Sequence, residues 1–258
     1  MSISRDPRKP KFYYGPRSFF RGMRYVVTHP ATWGLAIVPA AVALALFGAG
    51  SFAGVSLATS AAERWLGHGE GKTGEALFQL VRLLLIAIAV FLSFLVSVTF
   101  AQPLSGPAID ALCKRRWAAL GASLVESESG WVAGVWRSLQ VNLAGLFVGG
   151  GLILLLSCVT LLVPPAAIVT VPLKVLVGAM VISWDVLDYP FSLKERVLSE
   201  RVRFFKKNTL HVLLFGLTCE AALLIPGVGL LVLPMAAVGA TDLFFGLTSR
   251  RSSEIPPA

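Results

Sequence analysis

The sequence predicts an all-α integral membrane protein, and three observations carry that reading. Of 258 residues, 55% are hydrophobic and only 14% are charged, whereas an ordinary soluble domain carries about 25% charged residues. The mean hydropathy is +0.74. No charged residue occurs over residues 32–62 or 83–109, and apolar runs of about 18 residues or more read as membrane spans. A soluble fold of this length has no means of covering so much apolar surface, so the composition excludes a soluble enzyme.

Four apolar regions follow one another: 33–57, 83–104, 141–182 and 210–245. The first is too long for the core of a cleaved signal, and no small-residue cleavage site follows it, so it reads as a retained span. The third is interrupted by Pro164-Pro165 and the fourth by Ile225-Pro226-Gly227-Val228-Gly229. Proline removes a backbone donor and glycine permits tight turns, so each interruption reads as the tip of a helical hairpin.

Charge placement sets the orientation. Arg5, Arg8, Lys9, Lys11, Arg17, Arg21 and Arg24 precede the first span against a single acid, Asp6. Lys114, Arg115, Arg116 and Arg137 follow the second, in a stretch read as a basic loop that also holds Cys113. Lys194, Arg196, Arg201, Arg203, Lys206 and Lys207 separate the two hairpins, and Arg250 and Arg251 lie in the tail. Cytoplasmic loops collect Lys and Arg, so both termini are expected in the cytoplasm. The net charge of +9 is mostly this bias. It favours anionic lipid headgroups and gives no reason to expect nucleic acid as a partner.

Length bears on depth. Each arm of the fourth region has about 16 residues, roughly 24 Å as helix against a hydrocarbon core of roughly 30 Å. A re-entrant hairpin is therefore expected there, its tip covered by protein, because lipid cannot satisfy open backbone. In the third region the first arm is long enough to span. Pro172 and Lys174 argue for a broken or shallow second arm.

Two interfacial amphipathic helices are expected. One spans residues 13–25, where aromatics alternate with arginines. The other opens at Ser192-Leu193-Lys194-Glu195, which has the form of a capping box, and ends near Lys207 with Leu193, Val197 and Val202 at helical spacing. Both chain ends, residues 7–10 and 252–258, read as loosely ordered. The chain divides into a basic N-terminal segment (1–18), a single membrane domain (19–247) and a tail (248–258).

Few residues suggest chemistry. Arg21-Gly22-Met23-Arg24 stands shortly before His29-Pro30, where a new helix is expected. Guanidinium groups, a glycine and free backbone N–H groups at a helix start suit an oxyanion. Lys174 and Glu220 are charges within apolar regions, the kind that mark a polar path or an ion pair inside a membrane protein. Gly50/Gly54 and Gly145/Gly149 have the spacing that favours close helix contact. Cys113, Cys158 and Cys219 share no close spacing and His29, His68 and His211 are isolated, so neither metal nor cofactor is expected. No phosphate-binding loop, dinucleotide fingerprint, zinc-protease or serine-hydrolase motif occurs.

Several segments together resemble the CysZ-type sulfate permeases, which share the etoposide-induced-protein domain. They are Phe20-Arg21-Gly22-Met23-Arg24 with His29-Pro30 and Trp33, and Phe100-Ala101-Gln102-Pro103-Leu104 with Pro107 and Asp110. They continue with Asp188-Tyr189-Pro190, Phe204-Phe205-Lys206-Lys207-Asn208, Phe215-Gly216, Ile225-Pro226, Pro234 and Gly239-Ala240-Thr241. The resemblance covers about residues 19–247. It implies two long transmembrane helices plus two partly penetrating helical hairpins, homo-oligomers, and conduction of sulfate or a related oxyanion across the inner membrane for sulfur assimilation. The family's glycine-leucine-arginine sulfate motif falls on Gly22, Met23 and Arg24. Met23 departs from it by replacing leucine, and Tyr25 stands where sulfate-binding members can carry a second arginine. A membrane-shaping or scaffolding protein, wedging one leaflet with shallow hairpins and basic helices, is the competing reading.

Overall fold

The structure is a computed structural model that describes residues 13–66, 71–121, 145–225 and 229–252. Expectations about the basic residues before Tyr13, about Arg137, about the start of the third apolar region and about the tail beyond Ser252 lie outside the described residues. Among the described residues all regular structure is helical. In order these are α1 (Tyr14–Thr28), a 3-10 turn (Pro30–Thr32), α2 (Trp33–Ala36), α3 (Val38–Leu66) and α4 (Gly71–Ala119), then a π-helical turn (Leu146–Gly150), α5 (Gly151–Leu162), a 3-10 turn (Pro164–Ala166), α6 (Ala167–Leu193), α7 (Leu198–Lys207), α8 (Thr209–Leu223) and α9 (Gly229–Ser252). Four helical stretches are long and apolar enough to cross a membrane: Pro30–Trp65, Thr73–Ala119, Pro164–Leu193 and Gly229–Ser249. Two apolar helices are shorter, Phe147–Leu162 and Thr209–Leu223. The fold is that of an all-α membrane protein.

The chain forms two compact units, one of residues 37–108 and one of residues 1–36 with 109–258. In the smaller unit α3 lies against α4. A Cβ on Gly50 would stand 3.2 Å from the Ser93 Cβ, and one on Gly54 would stand 3.1 Å from that of Ala89. This is the close contact expected of the glycine pair, and it matters because lipid leaves no hydrophobic drive between helices. Ser97 Oγ donates to the Ala43 carbonyl at 2.6 Å across the pair. The outer faces carry exposed Phe52, Leu57, Leu83 and Phe91, a surface suited to lipid.

The larger unit is built around α1. Tyr14, Gly15, Ser18, Phe19, Gly22 and Val26 form its buried face. A Cβ on Gly15 would collide with the α8 backbone at His211 and Phe215, and one on Gly22 with the α9 backbone at Met235 and Gly239. Glycine is thus required at both crossings, and α1 lies directly on the α8–α9 hairpin. Phe19, Ile109, Cys113, Leu187, Phe215 and Leu243 fill the core. In the α5–α6 hairpin the Thr160 and Thr170 hydroxyls meet at 2.7 Å. Its tip turns at Val163 and Pro164, where the proline interruption places it.

Four local expectations are corrected. The second apolar region does not end in a basic loop: α4 continues to Ala119, because Ile109, Leu112, Cys113 and Trp117 recur at helical spacing and are buried. The second arm of the third region is not broken, since α6 runs 27 residues through Pro172. Near a helix start the missing proline N–H costs only one carbonyl its partner. The second arm of the fourth region is α9, with 24 residues rather than about 16, although α8 is as short as expected at 15. Finally, Ser192 and Glu195 do not cap a new helix. Ser192 belongs to the end of α6, Glu195 takes a left-handed backbone at φ 49°, and such a turn terminates a helix. The amphipathic helix itself is present as α7, beginning at Leu198.

Candidate anion site and buried ion pairs

The Arg21-Gly22-Met23-Arg24 segment lies within α1, not at a helix start. Past the first turn, N–H groups are taken by the helix, so Gly22 offers no free donor to an anion. Its lack of a side chain lets α1 cross α9 closely. Met23 is half-buried. The arginines form a separate feature: Arg17, Arg21 and Arg24 recur at one-turn intervals on the edge of α1 away from its glycine face. Arg17 and Arg24 are exposed. Arg21 lies over the Tyr14 ring at 5.6 Å. The Arg24 guanidinium has no partner among the described residues, while its carbonyl accepts from Thr28 Oγ1 at 2.7 Å.

The turn after α1 is held in place by side chains. Trp33 Nε1 donates to the Val26 carbonyl at 3.0 Å. Thr32 Oγ1 donates to the His29 carbonyl at 2.7 Å. Arg115 donates to the Ala31 carbonyl at 2.6 Å. Tyr25 packs between an imidazole and a guanidinium, stacked on His29 at 4.3 Å and under Arg116 at 4.5 Å. Arg24 therefore projects from a fixed base.

Two largely buried ion pairs are not legible in the sequence. Arg116, near the end of α4, holds the Asp242 carboxylate of α9 with two nitrogens, at 2.7 and 3.1 Å. Arg201 of α7 is 1% exposed and pairs with Asp188 of α6. Its Nε donates to the Arg196 carbonyl at 2.9 Å, and its guanidinium lies over Phe191 at 5.4 Å. One signal was available for the first pair: Asp242 is an acid inside an apolar run, as Glu220 is. Nothing in the sequence distinguishes Arg116 or Arg201 from topology-setting neighbours.

Lys174 and Glu220 face one helix contact without meeting. The Glu220 carboxylate lies over Gly178 of α6, 3.0 Å from where a Cβ would stand. Lys174 is one turn before Gly178. No ion pair within 4.0 Å joins the two, and Glu220 Oε2 is buried with no hydrogen-bond partner. Gly145 and Gly149 admit the Trp184 ring and Val181 side chain of α6, again a packing role. Cys113 and Cys219 are buried thiols. Among the described residues no group of three or more His, Cys, Asp or Glu is arranged to hold a metal ion.

A sequence search of curated proteins finds no match. The model of one family does match, over residues 18–234, and its description is sulfate transporter CysZ/etoposide-induced protein 2.4. That span runs from α1 into α9 and includes Arg21, Gly22, Met23, Arg24, Lys174 and Glu220, while Asp242 lies beyond it. With most of its length matched in this way, the chain belongs to the sulfate transporter CysZ/etoposide-induced protein 2.4 family.

Proposed function

We propose that this protein is a permease for sulfate or a related oxyanion, supplying sulfur assimilation from the inner membrane. The observation that carries the reading is Arg24: an exposed guanidinium without a partner among the described residues, at the motif position, on a helix fixed by backbone-to-backbone contact. Guanidinium presents paired donors that match an oxyanion. Arg17 and Arg21 extend the positive edge along α1 and concentrate anions at its surface. Arg116 and Arg201 take no part in recruitment, being committed to carboxylates.

In this reading both termini are cytoplasmic, the 15-residue α8 is the partly penetrating arm of a re-entrant α8–α9 hairpin although α9 is long enough to cross, and a homo-oligomer lines the path. Glu220, with its unpartnered oxygen, and Lys174 border a polar stretch of that path between α6 and α8. Amphipathic α1 and α7 favour a second reading, a membrane-shaping protein without transport activity that binds anionic lipid.

The test is sulfate uptake into liposomes holding the purified protein, against Arg24→Ala and against empty vesicles. Uptake that depends on Arg24 supports the permease. Folded protein with no uptake above empty vesicles, but with vesicle deformation, transfers the function to the second reading.

A further inference from the structure

A second feature of the larger unit has no place in anion conduction. The π-helical turn 146–150, α5, α6, α7 and α8 enclose a groove of about 620 Å³, within the 300–1,000 Å³ range of ligand sites. Leu152, Leu176, Met180, Trp184, Val202 and Leu213 line it. Among the described lining residues the polar groups are the Trp184 indole N–H and the Thr209 hydroxyl, and the latter already donates to the Phe205 carbonyl at 2.9 Å. A buried water needs two to four polar partners and a buried anion needs more, so neither sulfate nor water is a suitable occupant. The groove opens outward, where Val148 is 73% and Leu152 42% exposed.

Charge stands at one end of it. Val202 lines the groove, Arg203 follows it, and Lys206 lies one turn further along the same side of α7. Both cations are exposed. Arg196 is paired with Glu200 and Arg201 with Asp188, whereas Arg203 and Lys206 have no acidic partner among the described residues. The wall they stand on is fixed, because α7 is held by Arg201 and by the buried Phe205 ring, 5.0 Å from Trp184.

We infer that this groove holds an acyl chain of an anionic phospholipid whose headgroup phosphate rests on Arg203 and Lys206. A dry apolar slot beside two unpaired cations matches the two halves of such a molecule. Among the described residues no acid pairs with Arg203 or Lys206, and Glu200 is taken by Arg196, which leaves a zwitterionic headgroup nothing there to hold its cationic part.

The experiment uses the full-length protein in detergent with phosphatidylglycerol carrying a diazirine in one acyl chain, compared with phosphatidylcholine carrying the same chain. Crosslinked peptides are mapped by mass spectrometry. Labelling of 148–152, 180–184 and 202–213 is expected, favouring phosphatidylglycerol by about fivefold for each basic side chain. Arg203→Gln with Lys206→Gln, both exposed and fold-neutral, should remove the preference and leave labelling by phosphatidylcholine unchanged. Val202→Trp, which fills the groove, should remove labelling by both lipids without lowering the melting temperature; Leu213→Phe is the second filling variant. Equal labelling by the two lipids overturns the inference. So does labelling confined to α3 and α4, or a groove closed to label by crosslinks to residues 122–144 or to a second copy.

Discussion

Arg116 and Asp242, 126 residues apart in sequence, form a two-nitrogen ion pair in the core of the larger unit. Asp242 is 4% exposed and Arg116 17%, so the carboxylate depends on this partner while the guanidinium is partly buried. Removing one partner of such a pair costs about 3–5 kcal/mol, while replacing both with apolar groups is often neutral. Arg116→Met is expected to lower the melting temperature sharply in detergent, and Arg116→Met with Asp242→Leu to regain most of it. A double variant as unstable as the sum of the singles would refute the pairing as the cause.

The Arg201 guanidinium is expected to resist conservative replacement. It serves Asp188, the Arg196 carbonyl and the face of Phe191 at once. Lysine is a point charge that cannot reproduce a planar fork. Arg201→Lys should therefore loosen α7, seen as faster amide exchange across 194–208, with α8 and α9 unchanged.

The motif in α1 splits into a packing half and a binding half. Gly22→Ala forces a Cβ into the Gly239 backbone and should cost at least the 1–3 kcal/mol typical of overpacking. Arg24→Ala should leave the melting temperature within a degree or two and abolish Arg24-dependent sulfate uptake. Thermal melts and uptake on the same preparations separate the two. Equal instability in both variants would mean that Arg24 is structural.

Tyr25 offers a gain-of-function test. Tyr25→Arg adds a second guanidinium beside Arg24 but removes the ring under Arg116, a contact worth about 0.5–2 kcal/mol. Tighter sulfate binding with a lower melting temperature is expected, measured by titration calorimetry and thermal melt. Unchanged affinity would place the anion elsewhere.

Lys174 and Glu220 should behave as independent residues. Residues that share no contact add within about 0.5 kcal/mol, so a double-mutant cycle of Lys174→Met and Glu220→Gln is expected to show no larger coupling. A coupling above 1 kcal/mol would indicate an ion pair that this conformation does not contain.

The fold was readable wherever it follows from length and interruption. Charge-free runs marked α3 and the middle of α4, and Pro164-Pro165 marked a hairpin tip, because these are one-dimensional consequences of lipid. Elements bounded by tertiary contacts were not readable. The end of α4 looked like a basic loop until Leu112, Cys113 and Trp117 were seen to face the core. Ser192 and Glu195 had the spacing of a helix start and formed a helix end, since Arg201 pulls the following helix back onto Asp188. At the site, Arg24 was legible as an arginine beside a span. The helix crossing at Gly22 was not legible, because a glycine that lets a ligand approach and one that lets a helix approach are the same letter.

The seating of α1 also orders the protein's biogenesis. Its glycine face is not fully seated until His211, Phe215, Met235 and Gly239 have been made, so α1 is synthesised well before it finds its place. Until then its tyrosine, phenylalanine and arginine side chains belong to the membrane surface, where an amphipathic helix can wait. A chain truncated before α9 keeps the α8 half of that seat, at His211 and Phe215, and loses the half at Met235 and Gly239.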